Sequence, residues 1–131
     1  MPIPRRDFLI TTGALLVAAT AGPAASQGTS PMYGLIGKMM ATPGQRDALI
    51  GILLDGVSGM PGCLSYVVAT DPAEADAIWI TEVWDSQASH EASLALPSVR
   101  DAIAKGRPLI AGFGARTVTT PVGGLGLPSR R

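Results

Sequence analysis

From Ile78 to Trp84 the residues are apolar or β-favouring, and the period-two geometry of a strand puts Ile78, Ile80, Glu82 and Trp84 on one face and Ala77, Trp79, Thr81 and Val83 on the other. A second β-rich run, Cys63 to Thr70, precedes it across the polar stretch Asp71 to Asp76, and the two are expected to form an antiparallel hairpin. Met32 to Ala41 reads as an earlier strand with Lys38 as its only charge, and Ala115 to Val122 as a last one, entered through Gly112 to Gly114. Between the first two strands the pattern changes to helical spacing. Leu49, Ile52, Leu53, Val57 and Met60 share one side, and Gln45, Arg46, Asp47, Gly51 and Asp55 fall mostly on the other. Thr42 is the expected N-cap, with Pro43 at the first helical position and Gln45 completing a capping box; Gly59 and Pro61-Gly62 end the helix. After Trp84, Asp85 or Ser86 caps a helix that sets His90 and Ser93 on one side, with Ala88, Ala92 and Leu96 as its apolar positions. Pro97 breaks it before a shorter helix with Val99, Ala102 and Ile103 inward, closed by Gly106 and Pro108.

The order strand, helix, strand, strand, helix pair, strand is the βαββαβ plan of an α+β, ferredoxin-like sheet with its helices on one side. The other face is then bare. With Ile80 and Trp84 assigned to that face, burial calls for a second copy packing sheet to sheet, a homodimer with a cavity in each subunit.

Composition refines this picture at the N-terminus. Arg5 and Arg6 precede an apolar run from Phe8 to Ala21, shorter than the ~20 residues a membrane span requires, and Ala24-Ala25-Ser26 offers the small residues of a cleavage site. Residues 1–26 therefore read as a twin-arginine-type signal peptide with Gln27 opening the mature chain, an uncleaved anchor being the alternative. The expected organisation is a leader over 27–31, one domain over 32–122 and a loose tail over 123–131, in an exported, periplasmic or secreted protein without a stable membrane span in its mature form. The full chain carries ten basic and ten acidic side chains, and loss of Arg5, Arg6 and Asp7 leaves eight and nine. This near-neutral balance, without a basic block among aromatics, argues against nucleic acid or an anionic membrane surface as partner. The single cysteine, Cys63, makes no internal disulfide, and with one histidine it supplies no zinc site.

Three short stretches carry a resemblance. Pro61-Gly62-Cys63-Leu64 opening the second strand, Glu82-Val83-Trp84-Asp85-Ser86 ending the third, and His90 with Ser93-Leu94 on the following helix resemble the antibiotic biosynthesis monooxygenase family of dimeric α/β-barrel proteins, and within it the quinol monooxygenases. The likeness runs from about Met32 to Val122. It implies a cofactor-free oxygenase that removes a proton from an electron-rich phenol, anthrone or quinol so that the anion reduces dioxygen inside a tight apolar cavity. Many relatives carry a histidine where this chain has Ser93. The proton acceptor is then His90, Glu82 or the substrate's own acidity. Haem degradation is disfavoured because His90 is the only histidine and Ser93 stands where haem-degrading relatives place a bulky aromatic.

Each candidate side chain has an alternative role. His90 takes a phenolic proton or simply packs. A carboxylate between Ile80 and Trp84 is costly unless paired, hydrated or functional, so Glu82 orients His90, binds a substrate hydroxyl, or satisfies backbone groups or Arg116. Trp84 and Tyr66 stack on a flat ring or belong to the core or dimer contact. Ser93 donates to a substrate oxygen or to its own helix. Cys63 reads as a small buried filler, and Arg116 either reaches the partner or an anionic product or is a solvated edge charge. The oxygenase reading competes with a binding or stress module for a hydrophobic aromatic ligand, and with a non-oxidative isomerase on the same fold.

Overall fold

The computed structural model describes residues 30–128. The expected signal peptide and cleavage site lie outside these residues. Four strands are present: β1 (Tyr33–Ala41), β2 (Cys63–Thr70), β3 (Ala77–Trp84) and β4 (Ile110–Thr119). The helices are α1 (Arg46–Gly56), α2 (Gln87–Ser93) and α3 (Pro97–Gly106), followed by a single 3₁₀ turn, Arg107–Leu109. The strands form one antiparallel sheet in the order β2-β3-β1-β4, which with the element order gives the βαββαβ ferredoxin-like plan.

The register decides which side chains share a face. Tyr33 faces Trp84, Leu35 faces Glu82, Gly37 faces Ile80 and Met39 faces Ile78 across β1–β3, while Tyr66 faces Glu82 and Val68 faces Ile80 across β2–β3. Directly opposed residues project to the same side of the sheet. That side meets α1, because Leu49 packs with Ala41, Ile78 and Ile80 in the buried core. The helical layer therefore covers the face bearing Ile80 and Trp84, contrary to the expectation that a partner subunit would cover it. These two residues are already buried by their own chain. The outer face is the mixed one: Ile36 is 39% exposed and Val67 52% exposed, beside exposed Thr81 and half-buried Met40, Trp79 and Val83.

Local signals fare unevenly. The proposed capping box at Thr42 does not form. Thr42–Gln45 is instead a turn, closed by Gln45 N–H donating to the Thr42 carbonyl at 2.9 Å, and α1 starts only at Arg46. Gly44 at φ +79° breaks the helical path, and its N–H is held by Asp76 at 3.0 Å. The end of α1 also comes earlier than read, at Gly56, where a Cβ would lie 2.6 Å from that of Ala102; glycine there lets α1 and α3 approach closely.

Ser86 caps α2 as expected, its hydroxyl accepting from Ser89 N–H at 3.1 Å. The inward residues of α2 differ from the apolar reading, however. Ala88 and Ala92 are exposed, whereas Ser93 is buried and Ser89 and His90 are half-buried. The helix turns its polar stripe inward because it lies against Glu82 and Trp84. The last strand begins five residues before the expected Ala115, so Gly112 and Gly114 lie within β4. Two register irregularities against β1, at Gly37/Met39 and Met40/Ala41, accommodate this glycine-rich start. No described helix is long and apolar enough to cross a membrane.

Candidate functional site

Between the sheet and the helical layer lies a cavity of about 640 Å³. Its sheet wall carries Met39, Tyr66, Ile80, Glu82 and Trp84, its helical wall Leu53, Ser93, Val99, Ala102 and Ile103, and its rim Arg107 and Phe113. The lining is predominantly apolar with a few polar groups, the usual composition of a small-molecule site.

Glu82 is the carboxylate in this wall, and its surroundings are specific. The Trp84 indole N–H donates to Glu82 Oε1 at 2.9 Å, and His90 Nε2 stands 3.9 Å from the same oxygen. The second distance exceeds a hydrogen bond and acts as an ion pair only when the imidazole is protonated. Trp84 and Glu82 lie two residues apart on β3, so strand alternation alone brings indole and carboxylate to the same face. Arg116, considered as a partner for Glu82 from sequence, does not pair with it.

His90 stands behind the wall and does not line the cavity. Its ring lies 5.4 Å from Tyr33, tilted, and 5.4 Å from Trp84, edge to face. Tyr33 opposes Trp84 on β1, so imidazole, phenol and indole rings form one cluster at the end of the sheet. The Ser93 hydroxyl reaches the cavity wall, but it donates to the His90 carbonyl at 2.6 Å, the local bond open to any helical serine.

Tyr66 opposes Glu82 from β2. Burial first, then the negative potentials of Glu82 and Cys63, push its phenol well above the ordinary value of about 10. Near neutrality it stays an O–H donor among the residues that line the cavity. Cys63 is also pushed up by burial, with a smaller contribution from Glu82, and its Sγ contacts the Ser65 carbonyl at 3.7 Å. A thiol so placed is not an activated nucleophile. The described residues contain no cluster of His, Cys, Asp and Glu able to hold a metal ion.

The structure thus brings Glu82, Trp84, Tyr66 and Ser93 to one cavity and sets His90 one layer behind them. Sequence reasoning did not single out Tyr33, Gly37, Met39, Arg107 or Phe113. For Tyr33, Gly37 and Met39 the signal was present, since they share the odd-numbered parity of Leu35 on β1. Phe113 was concealed by its glycine neighbours, which read as a turn.

A βαββαβ sheet whose helical side lines a half-open, mainly apolar cavity with one oriented carboxylate defines a small-molecule site of the ferredoxin-like class. The chain belongs to the antibiotic biosynthesis monooxygenase family, whose sequence profile matches residues 32–105. It is similar to a Chloroflexus aurantiacus protein of known structure, named as a candidate antibiotic biosynthesis monooxygenase, with 74% identity, a TM-score of 0.70 and coverage of 71% of this chain and 95% of that one. A Caulobacter crescentus protein with the same candidate name shares the fold at 20% identity and TM-score 0.60, covering 70% of this chain and 88% of the other. A Pseudomonas aeruginosa protein shares it at 20% identity and TM-score 0.63, covering 72% and 98%. No curated protein matches the chain. Family membership supports a general monooxygenase-like function, while the two neighbours at 20% identity show the fold alone.

Proposed function

We propose that the protein is a cofactor-independent monooxygenase that oxidises a quinol-like or polyphenolic substrate with dioxygen in a cavity of each subunit of a homodimer. The observation that carries this reading is Glu82, a carboxylate fixed by the Trp84 indole in a predominantly apolar wall and facing Tyr66. Glu82 accepts the phenolic proton. The resulting anion gives one electron to dioxygen, and superoxide and substrate radical combine to form a carbon–oxygen bond. Cleavage of the O–O bond then leaves one oxygen on carbon as the quinone carbonyl, and the other departs as water with the two substrate hydrogens. Tyr66, kept protonated, donates to the developing oxyanion. His90, 3.9 Å behind Glu82, receives the proton onward, and apolar walls keep the radicals from bulk water.

Oxygen uptake by purified protein supplied with reduced naphthoquinols tests this. Glu82→Gln is expected to lower the rate about 100-fold, the lower range for loss of a general base, and His90→Ala less. No uptake above the uncatalysed rate across a substrate panel sinks the reading. It would leave binding without turnover, which the Ser93 hydroxyl's engagement with its own helix favours. Export follows from the Arg5-Arg6 leader. Replacing both with Lys should strand the precursor inside the cell, and normal export of that variant would point to another route.

A further inference from the structure

A second cavity of about 170 Å³ adjoins the first, and Met39, Ile80, Glu82 and Phe113 wall both. Gly37 belongs to the smaller one and has Ile80 and Arg116 as its cross-strand neighbours. Its φ is not positive, so the backbone does not require glycine, and an added Cβ would meet only the Ala115 carbonyl oxygen, 3.9 Å away. What glycine provides here is space, which in a strand interior commonly serves close approach of a ligand.

Two cations line the smaller cavity, and only one is engaged. The Lys38 ammonium is paired with Glu74 and lies 5.6 Å from the Trp79 ring centroid. Arg116 makes no side-chain hydrogen bond or ion pair among the described residues. A guanidinium presents a planar pair of donors matched to a carboxylate. Glu82 pairs with Leu35 and Arg116 with Gly37, so the two sit on the strands flanking β1, two strand spacings of about 4.8 Å apart across the sheet and two residues, about 6.8 Å, apart along it. The resulting backbone separation of about 12 Å leaves room for a fused two-ring aromatic acid between the two side chains.

We propose that the ligand is a hydroxylated aromatic acid, its phenolic ring beside Glu82 in the large cavity and its carboxylate in the small one, over Gly37 and on Arg116. This deepens the oxygenase reading and depends on the same cavity, but it concerns recognition and not turnover.

The test is calorimetric binding of 2-naphthol and 6-hydroxy-2-naphthoic acid under anaerobic conditions. The acid should bind about tenfold more tightly than the naphthol or better, as expected for one charge-assisted pair. Arg116→Gln should bring the two affinities within about twofold of each other while leaving naphthol unchanged, whereas Arg107→Gln at the rim of the larger cavity should keep the preference. Gly37→Val should weaken the acid more than the naphthol. Equal affinities in the unmodified protein, no binding of either compound, a preference that survives Arg116→Gln, or one lost with Arg107→Gln overturns the assignment. Tight, Arg116-dependent binding without oxygen uptake would overturn catalysis and leave this inference standing.

Discussion

Glu82 and Tyr66 sit opposite each other, and each changes what the other can do. The carboxylate adds to the effect of burial in holding the phenol protonated, so loss of its charge should make Tyr66 easier to ionise. Glu82→Gln is expected to move the Tyr66 transition down toward the ordinary value of about 10, read from tyrosinate ultraviolet absorbance in the folded protein; an unmoved transition would show that the two groups do not interact. The same shift has a stability consequence. The folded-state value lies above the unfolded one, so the contribution is fully present below pH ~10 and is lost as pH rises from there through the folded-state value, because the unfolded chain releases its proton first. Tyr66→Phe should flatten the alkaline limb of a denaturation series, and an unchanged limb would assign alkaline unfolding to other groups. Glu82 itself was legible in the sequence, because a carboxylate flanked by apolar residues of equal parity in a strand demands a cause. The roles of His90 and Ser93 were not. Helical spacing puts them on one side but does not say which reaches the cavity, and that depends on how α2 lies against Trp84.

At the scale of elements, the connections govern where the site's walls stand. The β2–β3 turn is tied down on several sides. Asp71 accepts from Trp79 Nε1 at 2.9 Å and from the N–H groups of Ala73 and Glu74. The Trp79 bond and these backbone donors hold its carboxyl below the usual range. Arg46 donates to the carbonyls of Glu74 at 3.0 Å and Asp71 at 3.2 Å, so a residue read as solvent-facing instead joins α1 to that turn. Gly59 and Gly62, in the α1–β2 connection, both have positive φ, but their surroundings differ. A Cβ at Gly59 meets nothing within 4 Å, whereas one at Gly62 would lie 2.5 Å from the Ser89 hydroxyl and 2.8 Å from Asp85 Oδ1. Gly59→Ala should therefore cost only the left-handed backbone term, about 1–2 kcal/mol. Gly62→Ala should cost at least ~1 kcal/mol more, since it must also displace the start of α2. Urea midpoints of the two variants check this, and equal losses would mean that α2 moves aside freely. Periodicity revealed the hairpin, α1, α3 and the Ser86 cap because each rests on local spacing. It missed the first residues of β4, because Gly112 and Gly114 look like a turn until pairing with β1 holds them extended, and it mistook Thr42–Gln45 for a cap because Gly44's left-handed backbone is invisible to a pattern of polar residues.

At the scale of the whole molecule, the sheet's two sides serve different purposes. The helical side lines a half-open cavity, while the outer side leaves Ile36 and Val67 exposed beside Thr81. The homodimer proposed above is expected to use the outer side. Val67→Glu, at the centre of β2 and pointing away from the helices, should shift the protein to monomers in sedimentation velocity. Unchanged sedimentation at micromolar concentration would remove that face from the interface. The sequence could not separate these two sides, because strand alternation yields two faces without saying which one the helices take; only Leu49 of α1 seated against Ile78 and Ile80 decides it. A chamber walled by one polypeptide also separates occupancy from assembly. Dilution that splits a pair should leave each half able to hold its guest, and filling one half should not alter its twin's appetite, so saturation would follow a simple hyperbola at any protein concentration.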